Sequence, residues 1–479
     1  MSSQHVSSQN ARALEAAISD IWDVAGRFGL DPFPVHFEMV PATIMYEFGA
    51  YGLPGRFSHW THGRAYQQIK TMYDYGLSKI YELVINTNPS YAFLLENNSV
   101  LQNKVVAAHV LAHVDFFKNN RYFQDTNRSM LETVSINAER LRRYEFEHGA
   151  KEVERLLDAV LSVQEHIDPN PRLRKPPPPR ADELKKRRQR ESRPATPFDD
   201  LLLLGENAEP KPPIDPRRIP AEPDKDVLGF LADHAPDLEP WQRDILHIVH
   251  AEQRYFLPQM QTKLMNEGWA SFWHARIMRE LDLTESEYLE FARMHSSVLA
   301  PSKRNVNPYY VGMALFEDIE RRWDSPTDQE RERLGRTGGQ GRAKIFEARE
   351  LDNDASFLRS YLTKELVEEL DLYLYRLEGD QWVIVEKDWE VVRDTILTGM
   401  TNFGQPYIVV EDGDYRRSRE LYLRHAHEGD DLDLDYADKT LKHVHQLWSR
   451  PVHLETLIEG KTTVLTYDGQ HGRATARTR

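Results

Sequence analysis

The most restrictive feature of the sequence is the segment Met265–His274, which reads MNEGWASFWH and joins three aromatic rings to one carboxylate and one imidazole. On a helix, Glu267 and His274 lie two turns apart and project from the same face. The aromatic residues mark this helix as a buried one, where a charge must be paired or bound to a metal. We therefore predict an interior helix whose Glu/His wall serves a site; the alternative is a core glutamate with ordinary hydrogen bonds.

The bulk composition limits the sites and partners that such a helix can serve. The chain has 479 residues, enough for two or three domains, and its net charge of -15 argues against broad binding of nucleic acid or anionic membranes. Because it contains no cysteine, histidines and carboxylates must hold any metal. No apolar run reaches the roughly 20 residues of a membrane-spanning helix, and no signal peptide pattern is present. We expect a soluble cytoplasmic protein.

Two histidines lie four residues apart in the apolar segment Leu101–Phe117. A helix projects His109 and His113 from successive turns of one face, which is the geometry of zinc helices of the H-E-x-x-H type. This spacing indicates a metal site, and the alternative is two core histidines that are hydrogen-bonded separately. A second pair, His59 and His62, could also share one ligand on a helical turn, although such pairs are commoner than metal sites.

Periodicity and composition divide the chain into four predicted segments. Residues 1–166 form an N-terminal helical part that carries HVLAH, and 167–225 form a linker or insertion rich in proline and basic residues. Residues 226–340 form a helical part packed on the first, and 341–479 form a small α+β domain with a loose tail. The basic cluster of the linker is a docking patch or solvated charge, and its leucine run 201–204 is a local anchor. The predicted fold is mainly α-helical.

Three stretches of the sequence together resemble the SpoVR (stage V sporulation protein R) family. They are Ala108–Asn120, which reads AHVLAHVDFFKNN, together with Arg56–Trp60 and Met265–His274. The resemblance covers most of the chain and implies a link to sporulation or stress physiology. It also implies two partners, a PrkA-type serine kinase and a von Willebrand A-like protein.

A shorter resemblance points to chemistry. Asn266–Ser271 (NEGWAS) is similar to the N-E-G-F-A-S segment of gluzincin aminopeptidases, and Val105–His113 is similar to their upstream zinc helix. This resemblance implies one set of zinc ligands, which comprises His109, His113 and Glu267. Val110 stands where that family has its catalytic glutamate, and the distance of 154 positions from His113 to Glu267 is longer than in the family.

Three functions fit these features. The first is a zinc-dependent, or otherwise divalent-metal-dependent, hydrolase of amide or peptide bonds, with a peptide or cell-wall-related ligand. Its proton-transfer and oxyanion roles then fall to five candidates, which are Glu252, His274, Asp115, Tyr255 and Tyr309. The second is a catalytically inactive, metal-stabilised scaffold or regulator that works with the kinase, which Val110 favours. The third is a small-ligand pocket lined by the same histidines and glutamate without a metal.

Overall fold

The structure is a computed structural model, and it describes residues 2–75, 82–170, 218–303 and 305–476. Most of these residues lie in helices. In chain order the helices are α1 (Ser2–Arg27), α2 (Ala42–Tyr51), α3 (Trp60–Asp74), α4 (Val100–Asn119), α5 (Met130–His148), α6 (Ala150–Leu161), α7 (Val227–His234), α8 (Pro240–Gln261), α9 (Lys263–Glu280), α10 (Glu285–Val298), α11 (Pro308–Asp324), α12 (Asp328–Leu334), α13 (Gly341–Leu351), α14 (Asp354–Tyr361), α15 (Lys364–Glu369), α16 (Trp389–Met400) and α17 (Leu434–Trp448). None of the described helices is long and apolar enough to cross a membrane.

The strands of the described residues form three separate sheets. In chain order they are β1 (Val35–Val40), β2 (Glu82–Ile85), β3 (Ser90–Leu95), β4 (Leu374–Glu378), β5 (Gln381–Glu386), β6 (Ile408–Tyr415), β7 (Glu420–His425), β8 (Val452–Ile458), β9 (Lys461–Tyr467) and β10 (Gly472–Ala476). The sheet orders are β1-β3-β2, β4-β5 and β10-β9-β8-β7-β6. The mainly helical fold with a sheet-containing C-terminal region is therefore confirmed.

Contacts between residues group the chain into two compact units. The first comprises residues 1–150 and 254–404, and the second comprises 151–253 and 405–479. The predicted segment boundaries at 166, 225 and 340 stay predictions. Most of the predicted linker lies outside the described residues, including its basic cluster and its leucine run.

Helix α4 forms the centre of the first unit because its sequence offers almost no polar face. Residues 106–117 are all buried, and α1, α9 and α13 pack against the helix. Its start is fixed by a capping box, in which the Ser99 hydroxyl accepts from Gln102 N and the Gln102 side chain accepts from Ser99 N. The two histidines of α4 are therefore held inside the core and cannot be satisfied by bulk water.

Helix α9 carries the aromatic segment and is anchored at both its start and its middle. The Asp354 carboxylate, at the beginning of α14, accepts hydrogen bonds from Leu264 N and Met265 N at 2.8 and 2.9 Å. In the middle, the Trp269 indole donates to the buried Asp115 carboxylate at 2.9 Å. The ring of Trp269 also packs edge-on against Phe316 at a centroid distance of 5.1 Å. These contacts fix the rotation of α9 and thus the direction of Glu267.

A three-stranded sheet delivers an acidic side chain to the same core. Strand β3 pairs in parallel with β1 and antiparallel with β2, and β2 contacts α4. Glu82 is the first residue of β2 and lies opposite Leu94 of β3. The register of this sheet therefore decides where the Glu82 carboxylate lies.

The second unit contains the five-stranded sheet. The parallel pair β7 and β8 is joined through α17, whose buried Trp448 stacks on Phe230 at a centroid distance of 5.8 Å. The Trp448 indole donates to Arg419 O at 2.7 Å. Strands are present after residue 371 as predicted, β4 and β5 in the first unit and β6 to β10 in the second, and the predicted helix at 437–448 is present as α17.

Helices α9 and α11 cross so closely that only glycine fits at the contact. A Cβ atom added at Gly268 would lie 2.3 Å from the carbonyl carbon of Gly312, and one added at Gly312 would lie 2.2 Å from Leu264 O. Both neighbours are backbone atoms, which cannot rotate away as a side chain can. The glycine pair is therefore a requirement of the helix packing that positions Glu267.

We predict that Gly268→Ala lowers the free energy of unfolding by about 3 kcal/mol or more, because α9 must move away from α11. Gly63→Ala is the matched control, since Gly63 lies in α3 with open space around it; that change should alter stability by less than about 1 kcal/mol. Denaturant unfolding followed by circular dichroism measures both. Equal effects of the two substitutions would contradict the close crossing.

Candidate metal centre

The two histidines of α4 lie together as their spacing predicts. Their ring centroids are 4.5 Å apart, and the residues are only 6% (His109) and 4% (His113) exposed. The Nε2 atoms of both rings face the same two carboxylates. The structure thus places the predicted pair in one site, with its ligand-capable nitrogens on the same side.

Two carboxylates meet these nitrogens. Glu82 Oε1 lies 3.3 Å from His109 Nε2 and 3.5 Å from His113 Nε2. Glu267 Oε2 lies 3.7 Å from His109 Nε2 and 3.4 Å from His113 Nε2. Glu82 and the two histidines each offer a ligand atom within 4.8 Å of the others, so these three residues could hold a metal ion. The predicted ligand Glu267 lies equally near.

These distances fit a metal better than they fit hydrogen bonds. A hydrogen bond to nitrogen spans about 2.7–3.2 Å, which all four distances exceed. In a tetrahedral zinc site with bonds of about 2.0–2.1 Å, neighbouring ligand atoms are about 3.4 Å apart. In the described part of the chain, the buried Glu267 Oε2 atom lacks a well-formed hydrogen bond. The donor set, two imidazoles and two carboxylates, also suits zinc and other divalent metals.

The outer nitrogen of each histidine has a specific partner. His113 Nδ1 lies 2.8 Å from Asn266 Oδ1, so this ring nitrogen donates to the amide oxygen. His109 Nδ1 lies 2.8 Å from His274 Nδ1, and His274 Nε2 lies 2.9 Å from His295 Nδ1. Metal-binding histidines usually donate their second N–H in this way, which fixes the tautomer and the ring orientation. His274, one of the predicted catalytic residues, thus lies in direct contact with His109.

Tyr309, at the start of α11, completes the wall of the site. Its ring stacks on His109 at a centroid distance of 6.1 Å, and its phenol lies near the carboxylates of Glu267 and Glu82. Burial and the charges of Glu267 and Glu82 raise the pKa of Tyr309 far above its usual value. The phenol therefore stays protonated at any physiological pH and remains a hydrogen-bond donor.

Without a metal, His113 and Glu267 form a buried ion pair. Burial opposes a charged imidazole, but the carboxylates of Glu267 and Glu82 prevail and raise the pKa of His113 to about 10. Burial also opposes ionisation of Glu267, but His109 and His113 hold its pKa well below the usual range. Burial and the neighbouring His109 and His295 lower the pKa of His274 well below its usual value. Occupation by a cation must therefore displace a proton from His113.

Three of the five predicted catalytic residues have other surroundings. Asp115 accepts from Asp31 N at 2.8 Å and from the Trp269 indole, and it pairs with Arg349 at 3.3 Å. Tyr255 packs in a separate small core of the first unit, and Glu252 is buried in the second unit. The structure brings only His274 and Tyr309 to the histidine pair.

The sequence alone assigned no role to Glu82 or Asn266, and it marked His295 only as a polar group that could line the same pocket. Asn266 was visible beside Glu267 in the sequence, but its amide could be matched to His113 only through the packing of α9 on α4. Glu82 lies alone at the start of a short strand, where no periodic pattern marks it. Its place depends on the register of β2 against β3 and on the contact of β2 with α4.

The pair His59 and His62 has a local structural role. His59 is the N-cap of α3, and its Nδ1 accepts from Thr61 N at 3.4 Å. Burial, reinforced by the charges of Arg56 and His59, lowers the pKa of His62 to about 4, so this ring is neutral. The Tyr51 ring packs against His62 at a centroid distance of 4.8 Å.

We predict that metal affinity rises steeply with pH. Since the pKa of metal-free His113 is about 10, the ring is charged at pH 6–8 and must lose its proton to bind a cation. The association constant for Zn²⁺ should therefore rise about tenfold per pH unit in this range. Calorimetric titration in buffers of different ionisation enthalpy should show about one proton released per metal. An affinity that is flat from pH 6 to 8 would contradict the charged pair.

Comparison with known proteins identifies the family of the chain. The family "SpoVR like protein" matches residues 8–405, and "SpoVR-like C-terminal domain" matches residues 406–459. The uncharacterized protein YcgB of Escherichia coli (strain K12) is 31% identical over 471 residues, which covers 92% of this chain and 91% of YcgB. No solved structure matches. The chain therefore belongs to the SpoVR family.

Proposed function

We propose that this protein is a metal-dependent hydrolase of amide or peptide bonds, with zinc or another divalent cation held by His109, His113 and Glu267. The observation that carries the proposal is the convergence of two imidazole Nε2 atoms and two carboxylates at 3.3–3.7 Å. Three protein ligands with a further position open is the pattern of catalytic zinc sites. The gluzincin-like order of ligands, two histidines on one helix and a glutamate on another, supports the same assignment.

The second carboxylate takes the role that Val110 cannot fill. Glu267 occupies the place of the glutamate ligand in the gluzincin-like segment NEGWAS, and we assign it as the third ligand. Glu82 approaches the same Nε2 atoms from β2, and we assign it as the general base. This assignment replaces Glu252 and Asp115 as the candidates for proton transfer, since Asp115 is committed to Arg349 and Trp269.

The remaining groups have defined tasks. A bound divalent metal would supply Lewis acidity toward an amide carbonyl and would activate water. Glu82 accepts the proton of the attacking water and passes it to the leaving amine. The Tyr309 hydroxyl, which is kept protonated by its raised pKa, donates a hydrogen bond to the oxyanion as charge develops there. Asn266 holds the His113 ring in place through its Nδ1–H.

A second candidate function is a metal-stabilised scaffold without catalysis. Val110 is fully buried at the position of the catalytic glutamate, and four ligands could close the centre as in structural zinc sites. In that case both Glu82 and Glu267 bind the metal, and the protein acts as a regulator that works with a PrkA-type serine kinase.

The family resemblance supports proposals about partners and substrate. We propose the PrkA-type kinase and a von Willebrand A-like protein as partners, and a peptide or a cell-wall-related fragment as the substrate. The affinity-tagged full chain should retain the kinase through washing, and recovery equal to that of an unrelated tagged protein would count against the partnership.

Substitution of the two carboxylates separates the enzyme from the scaffold. We predict that Glu267→Gln lowers bound zinc from about one equivalent to less than about a tenth. Glu82→Gln should retain zinc and reduce amide hydrolysis by about 10²- to 10⁴-fold. The matched control is Glu96→Gln, an exposed carboxylate of the same unit, which should change neither quantity. Metal analysis and a panel of peptide and amide substrates provide the measurements.

Other combinations of zinc content and activity in these variants would support the scaffold or contradict the centre. Loss of zinc in both Glu82→Gln and Glu267→Gln, with no hydrolysis by the zinc-loaded wild type, supports the closed scaffold. Retention of zinc in both variants shows that neither carboxylate is needed as a ligand and contradicts the proposed centre.

A further inference from the structure

We propose that His274 and His295 are positioning residues, which act as a hydrogen-bonded histidine chain that sets the orientation and tautomer of His109 for metal binding. The inference rests on the proposed metal centre and adds to it two residues that do not touch the metal. His295, on a different helix from the other members, is the outer anchor of the chain.

The histidine chain spans three helices. His109 of α4 contacts His274 of α9 through their Nδ1 atoms at 2.8 Å, and His274 Nε2 contacts His295 Nδ1 of α10 at 2.9 Å. Both ring-centroid separations are 5.0 Å. Each step lies within hydrogen-bonding distance, so the three rings are coupled in position.

Aromatic packing keeps the outer rings from turning. The Phe291 ring stacks on His295 at a centroid distance of 5.6 Å and an interplanar angle of 29°. The same ring meets His274 edge-on at 6.2 Å. His274 is 3% exposed, whereas His295 is only partly buried and forms the end of the chain nearest to solvent.

Hydrogen-bond chemistry fixes the order of donors once His109 Nε2 serves as a ligand. A neutral imidazole has one donor and one acceptor nitrogen. With Nε2 as a ligand, His109 must carry its proton on Nδ1 and donate to His274 Nδ1. His274 then carries its proton on Nε2 and donates to His295 Nδ1. His295 in turn carries its proton on Nε2, so the tautomers of the three rings are coupled to one another.

The two metal-facing histidines differ in how they are held. His113 donates to an amide oxygen of Asn266, which is an acceptor at all times. His109 instead donates to His274 Nδ1, and this nitrogen is an acceptor only while His274 carries its proton on Nε2 and donates it to His295. His295→Ala leaves the His274 Nε2–H without its acceptor. His274 can then carry its proton on Nδ1, where it would face the Nδ1–H of His109. Removal of His295 should therefore weaken metal binding from a distance.

The test measures Co²⁺ and Zn²⁺ affinity of the full chain, with the visible absorption of Co²⁺ as a report on the coordination geometry. We expect His295→Ala to raise the dissociation constant about tenfold or more and to change the Co²⁺ spectrum. His295→Asn, whose Oδ1 can accept from His274 Nε2, should return the dissociation constant to within about threefold of wild type. His148→Ala is the control, since His148 is an exposed histidine of the same unit.

The outcomes separate this inference from the proposed centre. If the wild type binds metal and His295→Ala binds it equally well with an unchanged spectrum, the histidine chain is overturned and the centre stands. If the wild type binds no metal, both are overturned. Equal losses in the alanine and asparagine variants, with unchanged thermal unfolding of the metal-free proteins, also overturn the chain, because the acceptor at position 295 then has no effect.

Discussion

The first unit depends on the polar contacts that His109 and His113 make inside the apolar core around α4. Residues 106–117 of α4 are all buried, so His109 and His113 must find every partner within the protein. They find them on two sides. Glu82 and Glu267 face the Nε2 atoms, while His274 and Asn266 face the Nδ1 atoms. The distances to the carboxylates exceed those of hydrogen bonds and match the edges of a metal coordination sphere, whereas the distances on the other side are those of hydrogen bonds. The two sides of each ring therefore have different chemistry, which is the arrangement that metal-binding histidines require.

The rest of the first unit keeps these partners in place. Helix α9 supplies three of them, and its position is fixed by the Asp354 carboxylate at its start and by the Gly268–Gly312 crossing with α11. The crossing also brings α11 near enough for Tyr309 to stack on His109, close to the Glu267 carboxylate. Asp115 serves the scaffold, because its carboxylate ties α4 to α9 through Trp269 and to α13 through Arg349. Buried polar groups next to the centre thus have separate tasks: some complete the site and others hold the helices that carry it.

Much of the site could be predicted from sequence because its central residues follow helical spacing. The separation of His109 from His113, and of Glu267 from His274, places each pair on one face of its helix, and the aromatic residues mark α9 as buried. The β2 strand shows the limit of that reasoning. Glu82 reaches the centre through pairing of β2 with β3, and no local pattern in the sequence encodes where a single strand residue lies. Asp115 shows a second limit, since its spacing from His113 made it a candidate base, whereas its partners come from α9, from α13 and from the backbone of Asp31. In both cases, packing between helices and strands determines which partners the carboxylate has, and local sequence patterns do not encode that packing.

X-ray absorption spectroscopy at the zinc edge of the loaded full chain tests the central claim most directly. We expect multiple-scattering features of two imidazoles, together with carboxylate oxygens, at metal–ligand distances of about 2.0–2.1 Å. His109→Ala should remove one imidazole contribution or the metal itself. A spectrum that contains only oxygen ligands, or one that His109→Ala leaves unchanged, would contradict a metal centre built on the histidines of α4.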